Sequence, residues 1–225
     1  MAARNSVKSY IENSFYHIYN RGVEKRDIFL EQQDYSVFLD YLKTYLEPKD
    51  KTNLQQIINS STTNFREKDK AIKSLRLNNF ADEIDLICYS LMPNHFHFLI
   101  RQKSADAIDK FLNSLATRYA MYFNRKYKRV GVLFQGVYKA VPVNSDEYLL
   151  HLTRYIHLNP SRHPHGSLLP SSLPDFLGKR QTKWVKPGFI LDYFSKTNKN
   201  NSYESFINSY SDLEQLKEIA LDLND

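Results

Sequence analysis

Apolar and polar positions change their spacing along the first part of the chain, and each spacing predicts a different element. Residues 14–22 are rich in aromatic and β-branched side chains and stop at Asn-Arg-Gly, which predicts a strand followed by a turn. Residues 34–48 carry apolar side chains three and four positions apart, which predicts a helix capped by Asp34 and stopped by a proline. Residues 49–80 are polar and weakly patterned, so we expect an insert with a short helix around residues 71–77.

The patterns that follow come in an order that defines a fold. Residues 83–91 and 95–102 are apolar runs joined by a short Pro-Asn connection, which predicts a β-hairpin. Helical spacing covers residues 105–127, and a strand-like run follows a glycine at residues 132–143. The order strand, helix, strand, strand, helix, strand predicts an α+β protein with a ferredoxin-like βαββαβ unit.

One further helix closes this unit, and the chain then changes character. Helical spacing resumes after Asn144 and ends at a proline, and we expect Asn144 and Glu147 to form a capping box. Beyond that helix the chain carries four of its eight prolines and an acidic, helix-like end at residues 211–225. We therefore expect a domain at residues 1–162 and a helical C-terminal extension at residues 163–225.

Length and composition narrow the classes of protein to consider. The 225 residues suffice for one good core with a small appendage, and the single cysteine, Cys88, excludes an internal disulfide. No apolar stretch reaches the length of a signal peptide or of a membrane span. We therefore expect a cytoplasmic protein that does not contact a membrane.

Charge is distributed unevenly along the chain, whose net charge is +6. Residues 110–145 contain no Asp or Glu, and their Lys and Arg side chains are interleaved with Tyr and Phe. Cations bind phosphates and aromatic rings stack on unpaired bases, so this stretch indicates a single-stranded or distorted nucleic acid as partner. A solvated helix face with its aromatic rings turned into the core would produce the same pattern. The candidate phosphate contacts, from this stretch and the first turn, are Arg21, Arg118, Arg125, Lys126, Lys128, Arg129 and Lys139.

Two histidines stand one residue apart at the start of the second hairpin strand. Side chains two apart on a strand point to the same face, with Cα atoms roughly 6.5–7 Å apart, so His95 and His97 project together. Phe96 and Phe98 then point to the opposite face, against a helix. Two imidazoles side by side can chelate a divalent metal, whereas the simpler interpretation is a pair of partly buried histidines bonded to backbone or water.

The last helix of the domain offers a reactive group and a third ligand. At about 100° per residue, Tyr155 and Asn159 lie together beside the buried stripe of that helix. A helix packed on the sheet could thus hold a phenol and an amide oxygen over the two histidines. A phenol is a weak nucleophile at neutral pH, but a metal that polarises a phosphoryl oxygen helps it to attack phosphorus. The simpler interpretation is a tyrosine at the margin of the core and an asparagine that ends the helix.

Several long motifs, taken together, resemble a known family. The segments CYSLMPNHFHFLI, RYAMYFNRKYKRVGVLFQGVYK and DEYLLHLTRYIHLNPSR, with YHIYNRG near the start, look like the single-tyrosine HUH transposases. Within that family they resemble the REP-associated tyrosine transposases of bacteria. The likeness covers residues 14–162 and implies the ferredoxin-like HUH nuclease fold with an added catalytic helix, in agreement with the order of elements.

The resemblance implies roles for individual residues. It implies that His95 and His97 are metal ligands, that Tyr155 is the nucleophile and that Asn159 is a third polar ligand. The metal implied is Mg²⁺ or Mn²⁺. The substrate implied is single-stranded DNA beside a hairpin, cleaved to leave a 5′-phosphotyrosine and a free 3′-OH. A monomer is expected, with a dimer as the alternative.

Other functions stay open on the sequence alone. A DNA- or RNA-hairpin-binding protein without catalysis would need only the basic, aromatic stretch. A metal-dependent hydrolase would use the histidines and leave Tyr155 structural. If Tyr155 is not the nucleophile, Tyr148, two turns earlier on the same helix, is the next candidate, and Tyr138 is the third.

Overall fold

A computed structural model of the protein describes residues 10–209. Its strands are β1 (Phe15–Arg21), β2 (Ile84–Met92), β3 (His95–Gln102) and β4 (Lys139–Val143). They form one antiparallel sheet in the order β2-β3-β1-β4, and β2 and β3 make the predicted hairpin. This is the order of a ferredoxin-like unit, so the predicted α+β fold is confirmed. The acidic helix predicted at residues 211–225 lies outside the described residues.

Eight α-helices accompany the sheet within the described part of the chain. They are α1 (Gln32–Leu46), α2 (Lys51–Asn59), α3 (Phe65–Arg76), α4 (Ala107–Lys126), α5 (Asp146–Leu158), α6 (Leu173–Phe176), α7 (Gly188–Leu191) and α8 (Tyr203–Asn208). Short 3₁₀ turns lie at Val23–Lys25, Pro160–Arg162, Gly166–Leu168 and Lys199–Asn201. The described helices include none that is long and apolar enough to cross a membrane.

The sheet separates two apolar clusters, because alternate residues of each strand point to opposite faces. On one face, Phe96 and Phe98 pack with α1 and α4, which confirms their predicted direction. On the other face, Leu99 packs with Leu152 and Ile156 of α5. The face that carries the two histidines is therefore the one that α5 covers.

Two stretches of the chain differ from their predicted structure. The polar insert forms two helices, α2 and α3, which pack against each other and bury Ala71. Their few apolar positions gave a weak periodicity, which is why only one short helix was expected. The fourth strand begins only at Lys139, because Gly131 and Gly136 adopt positive φ angles of 96° and 70°, which a regular strand does not allow.

Both predicted helix caps are displaced along the chain. Glu31 is the N-cap of α1, and Asp34 is the third helical residue, whose carboxylate accepts a hydrogen bond from the Glu31 backbone in a capping box. Ser145, rather than the predicted asparagine, caps α5, and its hydroxyl accepts from the Tyr148 backbone N–H at 3.2 Å. The cap of α1 is thus three residues before the predicted one and the cap of α5 one residue after it, which changes the side chain that meets the unpaired N–H groups.

The described part of the C-terminal extension lies along the outer edge of β2. Its backbone forms an antiparallel bridge between Ser171 and Ser90 and a parallel bridge between Val185 and Leu86. This contact covers a strand edge that would otherwise be open to pairing with another chain. The extension also packs on the outer side of α5 through residues such as Tyr203.

Candidate active site

Strands β1 and β3 bring four polar side chains to one face of the sheet. In this antiparallel pair, Tyr19 lies opposite His97 and Arg21 lies opposite His95. Directly opposed residues point to the same face, so all four share it. The rings of His95 and His97 have centroids 5.0 Å apart. The two histidines therefore project together, as their spacing predicts.

His97 is fully buried between the sheet and α5. Its Nδ1 is hydrogen-bonded to Nε2 of His17, on β1, at 2.9 Å. Its Nε2 is buried and has no hydrogen-bond partner among the described residues. Burial holds the pKa of His97 well below its usual range, and the neighbouring His95 and His17 add to this effect. The ring is neutral at pH 7, which is the form that binds a metal.

His95 is half-buried beside the hairpin turn, and its neighbour sets its tautomer. Its Nδ1 lies 2.6 Å from Oδ1 of Asn94. An amide oxygen can only accept, so Nδ1 carries the proton and Nε2 keeps its lone pair. Burial, with a further effect of Arg21, lowers the pKa of His95 to about 4, so this ring is also neutral at pH 7.

Helix α5 lays Tyr155 against the imidazoles. The Tyr155 ring meets the His97 ring edge-on, with centroids 5.3 Å apart, and its centroid is 6.2 Å from that of His17. Leu152 and Ile156, from the buried stripe of the helix, are fully buried and hold α5 on the sheet. Tyr155 itself is only 2% exposed. The Tyr155 ring therefore packs against one histidine of the pair, His97, within one chain.

Asn159 ends α5 one turn beyond Tyr155. Its backbone N–H donates to the Tyr155 carbonyl at 3.0 Å, so it is the C-cap of the helix. Its side chain is buried, and Nδ2 has no partner among the described residues. Buried amides normally have their hydrogen bonds satisfied, so an unpaired one is consistent with a ligand that the protein alone does not supply.

The donor set fits a divalent cation. His95 and His97 offer neutral nitrogens, and a half-turn of the Asn159 amide exchanges its nitrogen and oxygen ends. Between residues 10 and 209, no three His, Cys, Asp or Glu side chains are grouped so as to hold a metal ion. A site here therefore needs the amide oxygen, or oxygens from substrate and water, which are ligands that suit Mg²⁺ and Mn²⁺.

Two of the predicted phosphate contacts lie on the histidine-bearing face. Arg21 opposes His95 on that face, and its Nε donates to the Gln135 side chain at 2.6 Å. Lys139 opposes Tyr19 on the other side of β1, and its Nζ lies 5.8 Å from the Tyr19 ring centroid. These two cations flank the candidate site, which makes them the candidates best placed to meet a phosphate there.

Two other candidates are engaged elsewhere in the fold. Arg118 lies on the opposite side of the sheet, with its guanidinium stacked 4.0 Å from the Tyr41 ring centroid, so the structure does not bring it to the histidines. Lys126 is paired with Asp34 at 2.7 Å and with Glu31 at 2.5 Å. Its charge is therefore already balanced within the protein.

The last three candidates lie where α4 ends. Arg125 and Lys128 are exposed, whereas Arg129 is half-buried and donates to the Asn124 side chain at 3.0 Å. The loop that follows them is hydrogen-bonded to the end of β1, near the hairpin turn. This group is therefore at the same end of the sheet as His95, although α4 covers the other face.

His17 is the candidate residue that the sequence analysis missed. It lies in the YHIYNRG segment and shares a sheet face with Tyr19, two residues later. The strand order of a ferredoxin-like unit already makes β1 the neighbour of β3. What the sequence did not reveal was the register, which decides whether a histidine on β1 meets the histidine pair.

Comparisons with known proteins are consistent with this geometry. The family model described as "Transposase IS200 like" matches residues 66–159, a segment that contains both histidines, Tyr155 and Asn159. A search of curated proteins gave no match. The structure of a REP-associated tyrosine transposase bound to a REP hairpin has a TM-score of 0.50 at 10% identity, covering 81% of this chain and 96% of that one.

A second solved structure, a transposase-like protein from Deinococcus radiodurans R1, has a TM-score of 0.37 at 14% identity. It covers 68% of this chain and 95% of that one. The first structural likeness shows a shared fold, and the family match covers the segment with the candidate site. The family match therefore confirms the predicted resemblance to insertion-sequence transposases, and it supports a transposase-like function on DNA.

Proposed function

We propose that this protein is a metal-dependent endonuclease and strand transferase for single-stranded DNA, which acts beside hairpins through a 5′-phosphotyrosine at Tyr155. The observation that carries the proposal is the edge-on packing of Tyr155 against His97, with centroids 5.3 Å apart. The family match supports DNA as substrate, and the structural neighbour, which is bound to a REP hairpin, is the precedent for hairpin binding. His97 and Tyr155 belong to one chain, so a monomer would suffice.

The reaction gives each residue one task. The Tyr155 hydroxyl attacks phosphorus and loses its proton; the bond between phosphorus and the 3′ oxygen breaks, and that oxygen takes up a proton. Mg²⁺ or Mn²⁺, when bound, would neutralise charge on a non-bridging phosphate oxygen. His95 and His97 would hold the cation through neutral nitrogens, and Asn159 through its amide oxygen. The phosphotyrosine ester keeps the energy of the broken bond for rejoining.

The burial of the site adds a condition to this proposal. Tyr155 is 2% exposed and His97 is not exposed at all. Helix α5 covers the histidine-bearing face, so a DNA phosphate can reach these side chains only after α5 moves. Tyr155 and Asn159 both lie at the C-terminal end of α5, so a small displacement of that end would open the phenol and the amide together.

The test is a Tyr155→Phe variant, with Tyr148→Phe as the matched control on the same helix. The protein is incubated with Mn²⁺ and a 5′-labelled and a 3′-labelled hairpin oligonucleotide with single-stranded flanks. We expect a covalent protein–DNA adduct with the wild-type protein and with Tyr148→Phe. Tyr155→Phe should form no adduct while DNA binding persists, because the attacking oxygen alone is missing.

Three results would contradict the proposal. An adduct that survives in Tyr155→Phe and is lost in Tyr148→Phe would move the nucleophile to Tyr148. Cleavage without any adduct would indicate a hydrolase in which Tyr155 is structural. Binding without cleavage over a set of hairpins would favour a hairpin-binding protein, the second candidate, for which the burial of Tyr155 is the supporting observation.

A further inference from the structure

His17 forms a close pair with His97 in the interior of the protein. It lies on β1, is 1% exposed, and its ring stacks on that of His97 with centroids 5.2 Å apart and planes inclined by 21°. The two rings share one hydrogen bond, between His17 Nε2 and His97 Nδ1, at 2.9 Å. His17 is not part of the predicted ligand set, so its contact with a predicted ligand needs its own explanation.

The shared hydrogen bond couples the tautomers of the two rings. A neutral imidazole has one N–H donor and one acceptor nitrogen, so exactly one of the two facing nitrogens carries a proton. If His97 accepts from His17, then His97 Nε2 carries a proton that has no acceptor among the described residues. If His97 donates from Nδ1, its Nε2 keeps a bare lone pair, which is the form that binds a metal. In the second arrangement the remaining N–H is on Nδ1 of His17. Unlike Nε2 of His97, that atom is not one of the buried polar atoms without a partner in the described part of the chain, so this arrangement is the favoured one.

We propose that His17 is a positioning residue for the cation site: it accepts the Nδ1 proton of His97 and so keeps Nε2 of His97 available as a metal ligand. This inference rests on the proposed function and deepens it. A partner on the second ring nitrogen of a ligating histidine commonly fixes both its tautomer and its orientation. His95 has its own such partner in Asn94, so each histidine of the pair is oriented by a different neighbour.

The inference predicts different effects for two substitutions of His17. In His17→Gln, the amide oxygen can occupy the place of Nε2 and accept from His97, so the affinity for Mn²⁺ should stay close to that of the wild-type protein. In His17→Leu, no acceptor is left, and the dissociation constant for Mn²⁺ should rise by about 10- to 100-fold. Metal binding is measured by electron paramagnetic resonance of free Mn²⁺, without DNA and without an activity assay.

Ser90→Ala is the matched control. Ser90 is the residue opposite His97 on β2, is fully buried, and has a hydroxyl without a partner among the described residues. Its removal disturbs the surroundings of His97 from the other side but leaves the bond to His17 in place. We expect Mn²⁺ affinity in this variant to equal that of the wild-type protein.

A second measurement depends neither on a metal nor on the folding of a variant. Nitrogen-15 NMR of the histidine rings in the metal-free wild-type protein should show His97 protonated at Nδ1 and bare at Nε2. Finding the proton on Nε2 would overturn the inference, and so would an unchanged Mn²⁺ affinity in folded His17→Leu.

The two levels of the proposal fail in distinguishable ways. If the wild-type protein binds Mn²⁺ and forms the Tyr155 adduct but His17→Leu behaves like wild type, only the role of His17 is wrong. If the wild-type protein binds no Mn²⁺, the metal-dependent function is wrong. The ring NMR still shows which nitrogen of His97 carries the proton, and so tests the hydrogen bond to His17 separately.

Discussion

At the scale of single residues, exposure and pairing separate basic side chains that look alike in the sequence. Lys126 is 21% exposed and bonded to two carboxylates, whereas Arg125 and Lys128, close to it in sequence, are exposed at the end of α4. A cation whose charge is balanced inside the protein releases few counterions from DNA when the complex forms. An exposed cation near the phosphates releases about one.

This difference predicts the salt dependence of DNA binding. The logarithm of the binding constant falls as the logarithm of the salt concentration rises. We expect Arg125→Gln and Lys128→Gln each to make this negative slope shallower by about 0.7–0.9, because each removes one phosphate contact. Lys126→Gln should leave the slope unchanged and lower stability instead. Fluorescence anisotropy with a labelled hairpin between about 50 and 200 mM salt measures the slope. A Lys126 variant that changes the slope as much as the other two would contradict this assignment.

At the scale of elements, one buried carboxylate joins the start of α1 to the end of α4. Asp34 is fully buried and accepts hydrogen bonds from the Leu30 and Glu31 backbone, Lys126 Nζ, and the hydroxyls of Tyr122 and Tyr127. Burial alone would raise the pKa of Asp34, but the bonds from Lys126, the backbone and the tyrosines lower it below its usual value. The carboxylate is therefore charged in the folded protein and fully paired.

Asp34→Asn should lower the free energy of unfolding by roughly 3 kcal/mol at pH 7, because it breaks a buried ion pair and leaves an amide N–H₂ among donors. The folded pKa lies below the unfolded one, so the carboxylate stabilises the fold above pH 3.8 and loses this effect as the pH falls through the folded pKa. The difference in the free energy of unfolding between the wild-type protein and Asp34→Asn should therefore become smaller below pH 4.

Urea unfolding at pH 7 and at pH 3.5 measures both effects of the Asp34 substitution. Asp40→Asn, on the exposed side of the same helix, is the control and should change stability by less than about 0.5 kcal/mol. An Asp34 variant as stable as this control would show that the network does not hold α1 to α4.

At the scale of the whole molecule, α5 lies between the sheet and the C-terminal extension. His157 of α5 is bonded twice to the extension, through Nδ1 to the Tyr203 hydroxyl at 2.7 Å and through Nε2 to the Ser172 hydroxyl at 2.8 Å. Ser172 in turn donates to the Tyr89 carbonyl of β2. Donors and acceptors match along this chain if Tyr203 donates to His157 and His157 donates to Ser172. The extension thus helps to hold the helix that carries Tyr155.

Tyr203→Phe should lower the free energy of unfolding by about 1–3 kcal/mol, because it leaves Nδ1 of buried His157 without a donor. Tyr193→Phe is the control, since that tyrosine is 45% exposed and water can replace its hydrogen bond. Urea unfolding followed by circular dichroism gives both values. Equal stability of the two variants would mean that the contact between α5 and the extension contributes little.

The sequence by itself determined the order of elements, the pairing of His95 with His97 and the side of α5 that carries Tyr155. These follow from periods of two and 3.6 residues, which are local properties of the backbone. The helical insert was underestimated because α2 and α3 have few apolar positions. The caps lie three residues and one residue from the predicted ones, because several side chains near each helix start are of a type that can cap. Only the tertiary structure decided strand register, which brings His17 to His97, and the long-range contacts that occupy Arg118 and Lys126. Such contacts join residues far apart in the chain, and no local period carries information about them.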